Sequence, residues 1–196
     1  AQQGPPPRPN LRCAGGFRPL KVASARHGRL QNQEGVQVVR FTGNTYVDEG
    51  AFDFNESLME LWDVNTIEDI HFGAFRYCSA LAQLGDLSAL KTIGKMAFED
   101  TRLTQLVHIP LLTTIGESAF EGCEQLEIVH LPRALKFVEK DAFLNCPLGH
   151  LTVEPGINFE CRCANLTNML RRTQQPIQVR VRDNDDDCFD IRAEYD

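Results

Sequence analysis

The pair Ala-Phe returns five times, in "AFDFN", "AFRYC", "AFEDT", "AFEGC" and "AFLNC", and places Phe52, Phe75, Phe98, Phe120 and Phe143 at gaps of 23, 23, 22 and 23 residues. A period held this closely over five units points to a solenoid, in which one unit cannot bury its apolar face alone and must stack on the next. Five or six residues after each Phe comes Leu58, Leu81, Leu103, Leu126 or Leu148, and three further on comes Leu61, Leu84, Leu106, Val129 or Leu151. The second set lies 14 residues ahead of the next Phe each time, and Val38 lies 14 ahead of Phe52. Five Ala-Phe turns and six short strand segments are therefore expected, the first at "VQVVRF".

The alternation of "LEIVHLP" turns Leu126, Val129 and Leu131 inward and Ile128 and His130 outward, and Pro132, which cannot donate to a ladder, ends the strand. In "LTQLVHIP" one extra residue must be absorbed at or beside His108, as a bulge. "TIGESAF" turns at Gly116 and leads into a short helical or 3-10 turn carrying Ala119 and Phe120 inward. Ala leaves room for the Phe of the adjacent coil, so the rings are expected to stack as a spine. Three residues after each Phe stand Asn55, Cys78, Thr101, Cys123 and Cys146, small residues able to bond the backbone groups that a tight turn leaves without partners. Three Cys in equivalent slots indicate architecture rather than a catalytic thiol, and their spread over different coils excludes a zinc site.

These motifs, "LTTIGESAFEGCEQLEIVHLP" above all, resemble the BspA-like leucine-rich-repeat family over roughly residues 36–156. The resemblance implies an α/β repeat solenoid, curved, with a parallel sheet of about six short strands on one face and helical turns on the other. It also implies a non-enzymatic module for adhesion and protein recognition, secreted or at the cell surface. The organisation expected is a Pro-rich arm and cap over 1–34, the solenoid over 35–156, and a Cys-containing cap with an acidic tail over 157–196. In the arm, "PLKVA" reads as a strand. "INFECRCANLTNML" resembles the C-terminal cap of extracellular leucine-rich-repeat proteins, with Leu166, Met169 and Leu170 as the buried stripe of a short helix. That resemblance implies disulfides among Cys161, Cys163 and Cys188, with Cys188 pairing Cys161 or Cys163 and Cys146 as an alternative partner. Cys13 belongs to the other end, about 24 Å away at roughly 4.8 Å per strand. A disulfide needs α-carbons within about 7 Å, so Cys13 joins these only if the arm runs back along the solenoid. Disulfides would place the chain in an oxidising compartment, at the cell surface or in an organelle lumen. Of the two sequons, Asn55 falls in a buried slot, and Asn165 is the glycosylation candidate.

Composition adds exclusions. The longest apolar runs are only a few residues, so no membrane insertion is expected. The chain carries a net charge of −7, but residues 1–40 hold seven basic side chains against Glu34 alone, and residues 183–196 hold seven acidic ones against Arg192 alone. Such ends can bind neighbouring copies or a larger assembly, and a structural subunit held through its charged termini is the alternative function. The basic segment lacks interleaved aromatics, which disfavours nucleic acid. No catalytic fingerprint or cofactor motif is present. Asp183, Asp185, Asp187 and Glu194 match a calcium-loop spacing, but Cys188 stands where the loop needs Gly and "IQVRVR" alternates like a strand. His130 and His150 are placed as possible neighbours on adjacent strands, read as exposed histidines rather than a metal pair. The partner-binding surface expected is the outward face of the strands, with Val39, Glu60, Trp62, Gln83, Gln105, Val107, Ile128, His130 and His150 and the sole Trp as its anchor.

Overall fold

Stacking of the coils satisfies backbone groups that a single coil would leave open, and this decides the architecture. The computed structural model describes residues 20–22, 35–41, 43–172, 178–183 and 187–192. One wall of the coils is built from β1 (Leu20–Val22), β2 (Val38–Phe41), β4 (Glu60–Trp62), β7 (Gln105–Leu106), β9 (Ile128–Leu131) and β11 (His150–Val153). These form two parallel sheets, β1-β2-β4 and β7-β9-β11, and the third coil contributes only an isolated bridge from Glu60 to Gln83. β1 falls within "PLKVA", as expected.

A second wall is made by β3 (Tyr46–Val47), β5 (Asp69–Ile70), β6 (Thr92–Ile93), β8 (Thr114–Ile115), β10 (Phe137–Val138), β12 (Asn158–Cys161), β13 (Gln178–Asp183) and β14 (Asp187–Arg192). They run as one eight-stranded sheet, parallel until β13 and β14 close it as an antiparallel pair. The only helix among the described residues is α1 (Ala164–Leu170), which buries Leu166 and Leu170 and packs Met169 partly against the core. The stretch expected to lead straight into helical turns thus first makes a two-residue strand, as at Thr114–Ile115.

The Ala-Phe corners are not helical either. Hydrogen bonds alternate along the first four: Phe52 and Phe54 donate their N–H groups to Ala74 and Arg76 of the next coil, at 2.8 and 2.9 Å. Asp53 and Asn55 donate instead to Gly50 and Phe52 of their own turn, at 3.2 and 3.0 Å. Residues two before and two after the Phe adopt left-handed backbone, including Met96 (φ 55°), Asp100 (φ 54°) and Asn145 (φ 62°). A helix would bond every N–H within its own coil, whereas alternating handedness aims every second N–H at the neighbour. Gly122 holds one such position at φ 72°, where an added Cβ would also meet the Asp100 carboxylate. Gly116 is required for a different reason: a Cβ there would lie 2.6 Å from the Lys95 nitrogen of the preceding coil.

Inside the corners the Phe rings stack as expected, nearly parallel, with centroids 5.1–5.4 Å apart from Phe52 to Phe143. Phe41 closes the N-terminal end of the stack edge-on to Phe52 at 6.1 Å. In the second, third and fourth coils an extra residue separates the inward pairs Leu61 and Val64, Leu84 and Leu87, and Leu106 and Ile109. Left-handed Asp63, Gly85 and His108 absorb it, which shortens the strands there. The extra residue expected at His108 is therefore taken up by that residue, and the same device recurs in two earlier coils.

The first strand departs from its expected register. Val39 aligns with Leu61 and is fully buried, and Phe41 is buried with it, while Val38 and Arg40 face outward. A 14-residue count back from Phe52 is one residue too long in this coil. Shifting by one buries Phe41 and spares Arg40 the cost of burial, since one step of register exchanges the two faces of a strand.

Candidate functional site

On the first wall the outward positions form two rows across the strands. Val38 and Glu60 are aligned in one sheet, with Gln83 bridged to Glu60 beside it, and Gln105, Ile128 and His150 are aligned in the other. The second row brings Arg40 beside Trp62, and His130 beside Thr152. Of the residues expected on this face, Glu60, Trp62, Gln83, Gln105, Val107, Ile128, His130 and His150 are at least partly exposed; Val39 is not, and belongs to the core. Arg40 takes the place beside Trp62 that the sequence reading gave to Val39.

Trp62 is half-buried and held in position. Its indole N–H donates to Glu60 Oε2 at 2.8 Å, and the Arg40 guanidinium lies 5.0 Å from the centroid of its ring. Arg40 Nε in turn faces Asp63 Oδ2 at 3.1 Å, an ion pair without the alignment of a hydrogen bond. Further along, Gly85, Asp86, Gln105, Val107, His130 and Thr152 line an open groove. His130 and His150 lie on adjacent strands but on different rows, because His150 aligns with Ile128. Instead His130 meets Thr152 Oγ1 through Nδ1 at 2.9 Å and Glu154 Oε1 through Nε2 at 3.5 Å. The Glu154 carboxylate also accepts the Arg133 backbone N–H at 2.8 Å, and that bond, helped by His130, holds its pKa below the ordinary carboxylate range.

From Cys78 to Cys146 the small-residue slot bonds the turn carbonyls as the sequence suggested. The thiols of Cys78, Cys123 and Cys146 donate to the carbonyls of Phe52, Phe98 and Phe120 in the preceding coils, at 3.1, 3.1 and 3.0 Å. Thr101 bonds the Phe98 carbonyl at 3.0 Å and lies 3.2 Å from the Cys123 sulfur. Burial pushes the Cys78 thiol up to about 12. Cys146 is raised as well, by its hydrogen bond to Cys123 and by burial. Asn55, at the start of the column, is fully buried.

Asn165 continues this column. Its Nδ2 donates to the carbonyls of Phe143 and Cys146 at 2.9 and 3.1 Å, closing the last corner. Both amide hydrogens are thereby engaged, and a glycan on that nitrogen would have to displace one of the bonds. Cys161 and Cys163 are buried thiols. Cys188 on β14 aligns with Arg182 on β13, and β13 stands between β14 and Cys161, a separation of about two strand spacings or roughly 10 Å. Cys13, like Asp185 and Glu194 of the acidic motif, lies outside the described residues. Asp183 and Asp187 face each other as the last pair of the β13–β14 hairpin, so the calcium-loop spacing falls on a strand reversal. No group of three or more metal-ligating side chains occurs among the described residues, and no helix among them is long and apolar enough to cross a membrane.

One feature was not read from the sequence. Just outside the Phe stack runs the column Asp53, Arg76, Glu99, Glu121, and beside it Phe54, Tyr77 and Asp100. Arg76 grips the buried Asp53 carboxylate with two bonds, of 3.0 and 2.7 Å, and this hydrogen bonding keeps its guanidinium pKa raised. The guanidinium also lies 5.3–5.9 Å from the rings of Phe54, Phe72 and Tyr77, and Phe54 stacks on Tyr77 at 4.6 Å. The available signal was the residue two places after each repeat Phe, aromatic in the first two coils only.

A family model described as the BspA type leucine rich repeat region matches residues 45–167, in six copies. No curated protein and no solved structure matches the chain.

Proposed function

The chain belongs to the BspA-type leucine-rich-repeat family, and from that premise we propose that it binds a protein partner through the outward rows of its first wall, in a secreted or surface-exposed setting. The family implies a protein–protein interaction module and is generally non-enzymatic. The observation that carries the choice of face is the arrangement around Trp62, an aromatic ring pre-ordered by Glu60 and Arg40 within a polar surround. Rigid aromatic anchors of this kind dominate interface energetics, because little rotamer freedom is lost when a partner covers them. Ile128, at 41% exposure, and half-buried Val107 extend apolar area along the same face. The extracytoplasmic setting rests on the family, whose members are often found at surfaces or outside cells.

The test is a titration of a partner, once recovered, against two variants. Trp62→Ala should weaken binding by about 1–2 kcal/mol or more. Phe137→Ala, on the second wall and 44% exposed, should leave binding unchanged. Loss of affinity with Phe137→Ala and none with Trp62→Ala would move the site to the other wall.

A further inference from the structure

The corner of the first coils carries a surface that the fold itself does not require. Phe54 is 43% exposed and Phe72 38%, and the Arg76–Asp53 pair beneath them, with the Phe54–Tyr77 stack, holds the group as a fixed platform. One coil on, the surface turns acidic, with Glu99, Asp100 and Glu121 in mutual electrostatic contact. Glu99 Oε2 is buried with no hydrogen-bond partner among the described residues. Arg76, the cation beside it, is already committed to Asp53. A ligand that fits both parts presents flat apolar rings to the aromatics and one guanidinium to the carboxylates.

We propose that this platform is the docking site of the chain's own proline-rich arm, Gly4 to Pro9, with the prolines on Phe54, Phe72 and Tyr77 and Arg8 directed to Glu99. The segment reads "GPPPRP" and combines the two required chemistries within six residues. Proline-rich segments dock on aromatic grooves because their extended helix is preformed and loses little entropy on binding. An arginine beside two carboxylates in a partly buried setting forms charge-assisted bonds that a lysine point charge matches less well.

The arm is long enough. Leu20 pairs with Val39, on the same coil that carries Phe54 at its corner. Phe54 lies seven residues before Leu61, which aligns with Val39, so at about 3.3 Å per residue the width from this wall to the corner is at most about 23 Å. The eleven steps from Leu20 back to Pro9 span up to about 36 Å, which covers that width and two coil spacings of about 4.8 Å each. An occupant from the same chain also carries the sign of charge that the site needs, since the N-terminal 40 residues are strongly basic.

Hydroxyl-radical footprinting of the full chain tests this directly. The comparison is with a variant carrying Pro5→Ser, Pro6→Ser, Pro7→Ser, Arg8→Ser and Pro9→Ser, changes confined to the arm. Oxidation of Phe54 and Phe72 should rise about threefold or more in the variant, while Phe137, on the second wall, stays constant as the internal reference. Equal oxidation of Phe54 and Phe72 in the two chains overturns the proposal. Protection that weakens on tenfold dilution of the unaltered chain would assign the arm of a neighbouring copy, and overturns docking within one chain. Protection independent of concentration and lost in the variant supports it.

Discussion

The column inside each corner and the two columns just outside it run side by side through five coils, on the same backbone. Inside, Phe follows Phe and Ala follows Ala, all essentially without exposure. Outside, the residue after the Phe changes from Asp53 to Arg76, Glu99, Glu121 and Leu144, and the next from Phe54 to Tyr77, Asp100, Gly122 and Asn145. The backbone is as regular outside as inside, since left-handed residues recur there whatever the side chain. Regular geometry therefore comes from the buried column and the ladder of coil-to-coil bonds, and the outer columns are released to vary. A solenoid acquires particular chemistry on such columns, one coil at a time.

The comparison predicts very unequal costs of substitution. The largest belongs to the spine: Phe98→Ala should destabilise the fold by about 3–5 kcal/mol, because its ring is clasped between Phe75 and Phe120 and the stacked coils leave little freedom to collapse. Denaturant unfolding measures this, and a cost below about 1 kcal/mol would mean the inner column is not what fixes the geometry. Next comes the strongest contact outside the spine. Arg76→Ala removes both charge-assisted bonds from the buried Asp53 carboxylate and should cost about 1.5–3 kcal/mol. Asp53→Asn in the Arg76→Ala background should recover part of that loss, which a double-mutant cycle would resolve.

What was legible in the sequence follows the same division. Phe, Leu and Cys at a fixed period announce the spine, the inward leucines and the small-residue slot, because burial tolerates few residue types. The slot is buried in every coil from Asn55 to Cys146, and from Cys78 onward its side chains bond the Phe carbonyls as expected, whereas the Asn55 side-chain amide has no hydrogen-bond partner among the described residues. The corner backbone was not legible, because left-handed conformations fall on Met96, Ser118 and Asp141 as well as on glycines, so composition gives no signal for them. The face of Val39 was misread because the first coil is one residue short between strand and Phe, and in a strand that single step reverses every side chain. That Asn165 also closes the slot was not legible, since it follows Cys146 by 19 residues and breaks the period. The aromatic platform of Phe54, Phe72 and Tyr77 escaped notice because a single coil's outer residues do not repeat.

A smaller effect separates packing from chemistry within the inner column. Cys78 should react with a bulky thiol reagent only after denaturation, since burial keeps it protonated up to about pH 12 and closes off access. Cys123→Thr should be nearly neutral, as Thr101 already fills the same slot, whereas Cys123→Val should cost about 0.5–1.5 kcal/mol through the lost bond to the Phe98 carbonyl. Native labelling of Cys78 at the denatured rate would show that the corner opens, and the slot would then be a dynamic site rather than a structural one.

The smallest effect lies on the open wall, at Glu154. Its carboxylate accepts the Arg133 N–H and approaches His130, which favours the ionised form and lowers the folded-state pKa below the unfolded value of about 4.3. A group shifted in this direction contributes stability above the unfolded value, and that contribution fades as pH falls through the lowered folded value. The side chain is 39% exposed, so solvent screening limits the whole contribution to about 0.5 kcal/mol or less. Glu154→Gln should therefore be slightly less stable than the unaltered chain at pH 7, with the gap closing below about pH 4. Paired unfolding curves at pH 7 and pH 3 measure it. A gap that persists undiminished at pH 3 would mean that Glu154 acts through its shape and hydrogen-bond geometry rather than its charge, which would make the outer rows as structurally determined as the Phe column.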